Sequence, residues 1–124
     1  MTATSTVEGL RSELADGILR LTISRPRRMN AIDLATLSAL RDAVTAADAD
    51  TRVRTIVITG EGKAFCTGAD LAAGAANPQN PAVAMEATTG LIRAITDCSV
   101  PVIAAVNGPA AGVGVSIALV ADLT

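Results

Sequence analysis

Apolar residues recur along this chain at two periods, and the switches between them mark its elements. Residues 7–14 and 18–24 read as two strands about the turn Ala15-Asp16-Gly17, with Leu19, Leu21 and Ile23 on one face at period two, so a hairpin is expected to open the fold. The polar segment RPRRMNAID follows. Behind Asp33, a residue suited to capping, Leu34, Leu37, Leu40, Val44 and Ala47 recur at helical spacing and predict a helix ending near Asp48 or Asp50. Val53–Thr59 is β-branched and mostly apolar, which predicts a strand covered on both faces that runs into the loop GEGKAFCTGADL. The segment 72–82, with Asn77, Pro78, Asn80 and Pro81, reads as a loop beside that turn. A second helix is predicted over 83–97, with Val83, Ala87, Leu91, Ile92 and Ile95 inward. Pro101–Asn107 repeats the buried-strand pattern, enters GPAAGVG, and leads into an apolar helix from about Gly112 to Ala121. Strand, Gly-rich loop and helix thus occur twice, which predicts a right-handed α/β stack rather than a bundle.

Composition narrows what such a stack can do. Of 124 residues half are hydrophobic, but 25 are Ala, which leaves apolar side chains for one compact core spanning 1–124 and argues against extended disorder. A net charge of −2 and a single aromatic residue, Phe65, exclude nucleic acid as a natural partner, because neither phosphate attraction nor base stacking is provided. The chain has no His, which removes Ser-His and Cys-His nucleophiles and most zinc sites at once. Cys66 and Cys98 match no ligand spacing and read as buried free thiols, so no metal is expected. The start MTATSTVEGL has no basic or apolar leader pattern, and a cytoplasmic location is expected. Ser99–Ala121 lacks charge and is long enough to cross a bilayer, but Pro101, Asn107, Gly108, Pro109, Gly112 and Gly114 break it into strand, loop and helix; no membrane partner is expected.

With few ionisable groups available, main-chain N–H groups become the candidate electrophiles. The two Gly-rich loops follow buried strands, where an α/β sheet opens its ligand crevice. A donor near Ala69 and another near Val113 could meet at one oxygen, since Gly68, Gly112 and Gly114 keep the backbone unobstructed, and a helix opening at residue 112 adds positive potential. Such a pair suits the negative charge of an enolate formed from a thioester. The competing reading gives these glycines only tight turns and helix–sheet packing. Two nucleotide patterns fail: the third glycine of a dinucleotide fingerprint would fall at Ile117, and in a phosphate loop ending at GEGKA the first glycine would fall at Val57 while Ala64 replaces the hydroxyl residue.

Three strings in order, RPRRMNAID (25–33), TIVITGEGKAFCTGADL (55–71) and PVIAAVNGPAAGVGVSIALVADL (101–123), resemble the crotonase superfamily, the enoyl-CoA hydratase/isomerase family, over residues 10–124. The resemblance implies an α/β, crotonase-like (ClpP/crotonase) spiral of ββα units, of which this chain holds the N-terminal portion, ending after the second glycine-loop unit. It implies an acyl-CoA thioester as partner, bound bent, with CoA part of the substrate and no separate cofactor. The carbonyl would sit between the N–H groups of Ala69 and Val113, flanked by Gly68 and Gly112. Asp70, Leu71 and Ala72 would line the pantetheine and acyl path, and Arg25, Arg27, Arg28 and Met29 would meet the nucleotide end of CoA. The activity implied is that of a lyase or isomerase, hydrating a 2-enoyl-CoA or moving its double bond from Δ3 to Δ2. Two departures bear on this. Ser116 stands where hydratases of the family place a glutamate, and the loop reads GVG rather than GGG, which is nearer the isomerase branch. The proton-transferring acid, and the helices that assemble trimers or hexamers, would then lie beyond Thr124. Asn30 reads as a structural turn residue, Asp70 as a loop-shaping one, Glu86 as a surface acid and Cys66 as packing. The rival to an enzyme is a non-catalytic acyl-CoA-binding or interaction module.

Overall fold

In the computed structural model, which describes residues 3–7, 9–70 and 81–124, the alternation of Leu19, Leu21 and Ile23 becomes the middle strand of a five-stranded sheet. The strands are β1 (Ala3–Val7), β2 (Leu10–Ala15), β3 (Ile18–Ile23), β4 (Thr55–Gly60) and β5 (Val102–Ala105), and they lie side by side in that order. β1, β2 and β3 form an antiparallel meander, whereas β3, β4 and β5 run parallel. The parallel half needs crossovers, supplied by α1 (Leu34–Asp48) and α2 (Pro81–Asp97), and α3 (Val113–Val120) follows β5.

The hairpin expected about Ala15-Asp16-Gly17 forms between β2 and β3, but a further strand precedes it. A break at Gly9, with φ of +84°, splits the anticipated 7–14 strand, so residues 3–7 form an additional strand ahead of β2. The side chain of Thr36 on α1 fills the space where a Gly9 Cβ would stand, so the glycine is required both by its left-handed backbone and by helix packing.

One face of the sheet is the core. Leu21, Ile23, Ile56, Ile58, Val102 and Ala104 are at most 1% exposed, and Leu37, Leu40, Val44, Leu91 and Ile95 from α1 and α2 complete it. On the opposite face, Val57 and Thr59 are only half-buried and Arg11, Glu13 and Arg20 are exposed, so the two-sided cover expected for β4 is one-sided among the described residues.

Asp33 caps α1 as its position predicts, its Oδ1 accepting the Thr36 N–H at 2.8 Å. α2 begins at Pro81 and buries Leu91 and Ile95, but Val83, expected inward, is exposed. Of the loop expected over 72–82, residues 72–80 lie outside the described residues and Pro81 and Ala82 belong to α2. Ser99–Ala121 folds as β5, a loop and α3, and no helix among the described residues is long and apolar enough to cross a membrane.

Candidate functional site

The turn after β4 is folded tightly upon itself by two asparagines. Gly60 opens it, and a Cβ there would collide with the carbonyls of Ala64 and Phe65. Buried Asn30 donates through Nδ2 to the carbonyls of Glu61 at 2.9 Å and Ala64 at 2.7 Å, while its Oδ1 accepts the Arg25 N–H at 2.8 Å. Asn107, after β5, donates to the Ala64 and Gly62 carbonyls, both at 3.0 Å, and accepts the Gly60 N–H at 3.1 Å. The three polar segments therefore meet at one carbonyl oxygen, that of Ala64. Asn30 has the structural role its position suggested. Phe65 and Cys66 are fully buried beneath this turn, and burial pushes the Cys66 thiol up, which keeps it protonated and unreactive.

Beyond Cys66 the chain pairs with the segment before α1. The Ile32 N–H donates to the Gly68 carbonyl at 2.8 Å, and the Asp70 N–H donates to the Ile32 carbonyl at 3.0 Å. These two bonds straddle Ala69 in a parallel bridge, so its own N–H and C=O are left facing away from Ile32.

The second loop leaves a matching group unspent. The Ala111 N–H donates to the Cys66 carbonyl at 3.0 Å, the Gly114 N–H to Ala111, and the Val115 and Ser116 N–H groups to Gly112. Val113 is the first residue of α3, so its N–H has no partner within the helix and lies at the positive end of the helix dipole. Among the described residues, no backbone hydrogen bond consumes the N–H of Ala69 or Val113. Glycines bring the two loops together: Gly112, at φ 55° and ψ −125°, has its missing Cβ position 3.2 Å from the Gly68 Cα, and a Cβ on Gly114 would overlap the Cys66 carbonyl.

Ala69, Asp70, Gly112 and Val113 line one cavity of about 370 Å³. Its walls are completed by Ile32, Asp33, Leu34 and Leu37 at the start of α1, by Ala84, Met85 and Thr88 of α2, and by Ser116 of α3. A mostly apolar hollow with a few convergent polar groups is the usual form of a small-ligand site. The α2 contribution was not anticipated from sequence, although residues 84, 85 and 88 share one helical face by spacing.

The arginine segment divides into inward and outward members. Arg25, only 17% exposed, donates to Asp70 at 2.8 Å and to the Ala31 carbonyl, and stands 3.6 Å from Asp33. Burial alone would raise the Asp33 carboxyl, but hydrogen bonds from Thr36 and the Arg25 charge outweigh it and hold the group below the ordinary carboxylate value. Arg28 is half-exposed and its Nε lies 3.3 Å from Asp70. Arg27 and Met29 are exposed, and Arg27 makes none of the ion pairs among the described residues. Leu71 and Ala72 lie outside the described residues, and Glu86 is exposed on α2 away from the cavity. No group of three His, Cys, Asp or Glu among the described residues is placed to hold a metal.

Comparison with known proteins bears on this geometry. The enoyl-CoA hydratase/isomerase family pattern matches residues 13–124. The chain is 44% identical over 117 residues to a probable enoyl-CoA hydratase of Rhodobacter capsulatus, covering 92% of this chain and 44% of that protein. It is 40% identical over 106 residues to an enoyl-CoA hydratase of Alternaria alternata, covering 85% of this chain and 36% of the relative. Among solved structures, an enoyl-CoA hydratase from Mycobacterium avium subsp. paratuberculosis superposes with a TM-score of 0.86 at 37% identity, covering 96% of this chain and 47% of that one. An enoyl-CoA hydratase from Bacillus anthracis gives 0.80 at 30% identity, covering 92% and 45%. The chain thus spans less than half the length of these relatives.

Proposed function

The chain belongs to the enoyl-CoA hydratase/isomerase family and carries part of its crotonase-like α/β fold, and from that premise we propose that its cavity holds the acyl end of a CoA thioester, the carbonyl oxygen lying between the N–H groups of Ala69 and Val113. The observation that carries the reading is the pair of unspent donors on two loops whose glycine backbones touch, both lining one apolar cavity. Negative charge grows on a thioester oxygen as its enolate forms. Once a bound acyl chain excludes water, two fixed N–H dipoles stabilise that charge without reorganising, and each is worth about 10²–10³ in rate. The α3 dipole acts on the same oxygen through Val113. Exposed Arg27 and half-exposed Arg28 suit the phosphates of the CoA nucleotide, with Met29 beside them. The reaction served is hydration of a 2-enoyl-CoA or migration of its double bond.

A second reading, binding without turnover by this chain, is favoured by one observation. Both carboxylates that line the cavity, Asp33 and Asp70, are turned to Arg25, at 3.6 and 2.8 Å, and Asp33 is also spent on capping α1.

Infrared spectroscopy of an acyl-CoA labelled with ¹³C at the thioester carbonyl tests the site directly. Bound to the chain, the carbonyl stretch should fall in frequency, and Ala69→Pro, which removes one donor, should abolish most of that fall. Circular dichroism and CoA affinity of the variant separate loss of the donor from distortion of the loop. An unshifted carbonyl in the wild-type complex overturns the proposal. Product formation from a 2-enoyl-CoA by the same preparation decides between the two readings.

A further inference from the structure

The peptide group that carries the Ala69 N–H is held from behind. Its other end is the Gly68 carbonyl, which accepts the Ile32 N–H at 2.8 Å, and because a trans peptide sets C=O and N–H in opposite directions, that bond turns the Ala69 N–H away from Ile32. The Ile32 N–H in turn shares a peptide group with the Ala31 carbonyl, which accepts a hydrogen bond from Nη1 of Arg25. The guanidinium, the Ala31–Ile32 peptide and the Gly68–Ala69 peptide therefore form one series of hydrogen bonds that ends at the candidate donor. The bridge between Ile32 and Ala69 is isolated, so no strand ladder among the described residues shares the task. Arg25 is itself fixed: its N–H donates to Asn30 Oδ1 at 2.8 Å, its carbonyl accepts the Asn30 N–H at 2.9 Å, and its Nη1 also donates at 2.8 Å to Asp70, the residue after Ala69. It is not among the residues that line the cavity.

We propose that Arg25 is a positioning residue for the thioester chemistry, its guanidinium orienting and polarising, through these two peptide groups, the Ala69 N–H that meets the carbonyl oxygen. This rests on the reading of Ala69 and Val113 as the carbonyl-binding pair. A cationic donor at the Ala31 carbonyl draws electron density through its peptide group, which makes the Ile32 N–H a stronger donor to Gly68. The same step, repeated across the Gly68–Ala69 peptide, strengthens the Ala69 N–H toward the ligand. Each bond in such a series gains about 10–30%, and a charged donor at its head is roughly twice as strong as a neutral one. Orientation adds to polarisation, because a donor serves the growing negative charge only where it points at the oxygen. The second arm of Arg25, to Asp70, closes the far side of Ala69 and limits tilting of the loop. Val113 draws on a separate source, the α3 dipole, so each of the two donors has its own support.

Two spectra of the 124-residue chain test this. In the ligand-free chain, Arg25→Met should move the Ile32 amide proton resonance upfield, the mark of a weakened hydrogen bond to Gly68. With butyryl-CoA labelled with ¹³C at the thioester carbonyl, the same variant should lose about a quarter or more of the fall in carbonyl frequency seen in the wild-type complex. Asp70→Asn, which keeps an oxygen to accept from Arg25, should preserve both signals. An Ile32 resonance and a carbonyl frequency unchanged in Arg25→Met overturn the role of Arg25, and so does an equal loss in Asp70→Asn, which would mark general loosening of the turn. Should Arg25→Met fail to fold by circular dichroism, Arg25→Lys takes its place: a point charge cannot hold both acceptors in fixed geometry, so a smaller loss of the same sign is expected, and no loss overturns the proposal. An unshifted carbonyl in the wild-type complex overturns the carbonyl site and the role of Arg25 with it, an outcome distinguished from failure at Arg25 alone by the wild-type spectrum.

Discussion

The carboxylate of Asp70 accepts a 2.8 Å hydrogen bond from the guanidinium of Arg25, although α1 and β4 both lie between them in the chain. Their side chains are 4% and 17% exposed, and the same guanidinium stands near the capping Asp33. The pair therefore closes the arginine turn onto the Ala69 loop and onto the first turn of α1, two walls of the cavity. Removing Asp70 leaves the partly buried guanidinium with only Asp33, 3.6 Å away, and the Ala31 carbonyl as partners, so Asp70→Ala should cost about 1–3 kcal/mol in a denaturant titration. Arg27→Ala, on the exposed side of the same turn, should change stability by less than about 0.5 kcal/mol. It should weaken CoA about two- to fivefold if a phosphate is met there. Equal stability losses at the two positions would show that the inward and outward arginines are not distinct.

That distinction was invisible in the string RPRRMN, where the three arginines are chemically equal and only the position of Asp70, far along the chain, singles out Arg25. Period-two and helical spacing gave the core strands and α1, because burial of one face leaves a periodic trace in the residues themselves. The Asp33 cap was legible for the same local reason. The first strand was not: TATSTV carries too few apolar residues to show a period, and its pairing with β2 depends on the turn at Gly9. Val83 failed in the opposite way, since it fits the helical spacing but is exposed, while its neighbours Ala84, Met85 and Thr88 line the cavity. The two candidate donors were legible from the glycines around them. The cavity's α2 wall was not, because nothing in residues 84–88 says which neighbour they face.

Gly114 tests how tightly the two loops are joined. Within a helix, Gly to Ala ordinarily stabilises by roughly 0.5–1 kcal/mol. Here the new Cβ would overlap the Cys66 carbonyl, a backbone group that no rotamer change can move. Gly114→Ala should therefore destabilise by about 1–3 kcal/mol, seen as a lowered Tm. A raised Tm would mean that the loops separate freely.

Asn30 tests the junction at Ala64. It sits at φ +57°, so Asn30→Gly keeps the backbone relaxed and removes only the side-chain bonds. Asn30→Asp instead sets a carboxylate oxygen against the carbonyls of Glu61 and Ala64, where an amide had donated. Both should lose stability, the glycine variant by about 1–3 kcal/mol and the aspartate variant by more. The order of their midpoints in urea checks the assignment of Nδ2 toward the two carbonyls; the reverse order would require the amide to be turned the other way.

Acid should weaken the fold partly through Asp33. Its carboxyl is held below the ordinary value because the Thr36 bonds and the Arg25 charge outweigh the opposing effect of burial. A carboxylate with a lower pKa folded than unfolded binds fewer protons in the native state, so its contribution is complete above about pH 4 and is lost as pH falls through the folded value. Asp50, held down to about 2 by its hydrogen bonds from Arg52, and Glu61, lowered by Arg11 and Ser24, act with the same sign. Asn in place of Asp33 still caps a helix but cannot titrate. Asp33→Asn should therefore start less stable at pH 7, having lost the Arg25 attraction, and fall less steeply between pH 5 and 2, measured as denaturant midpoints across that range. Asp33→Ala should lose about 0.5–2 kcal/mol at pH 7, because the cap itself is gone. An acid slope in Asp33→Asn identical to that of the wild type would place the titration elsewhere, with Asp50 and Glu61 the next carboxylates to replace.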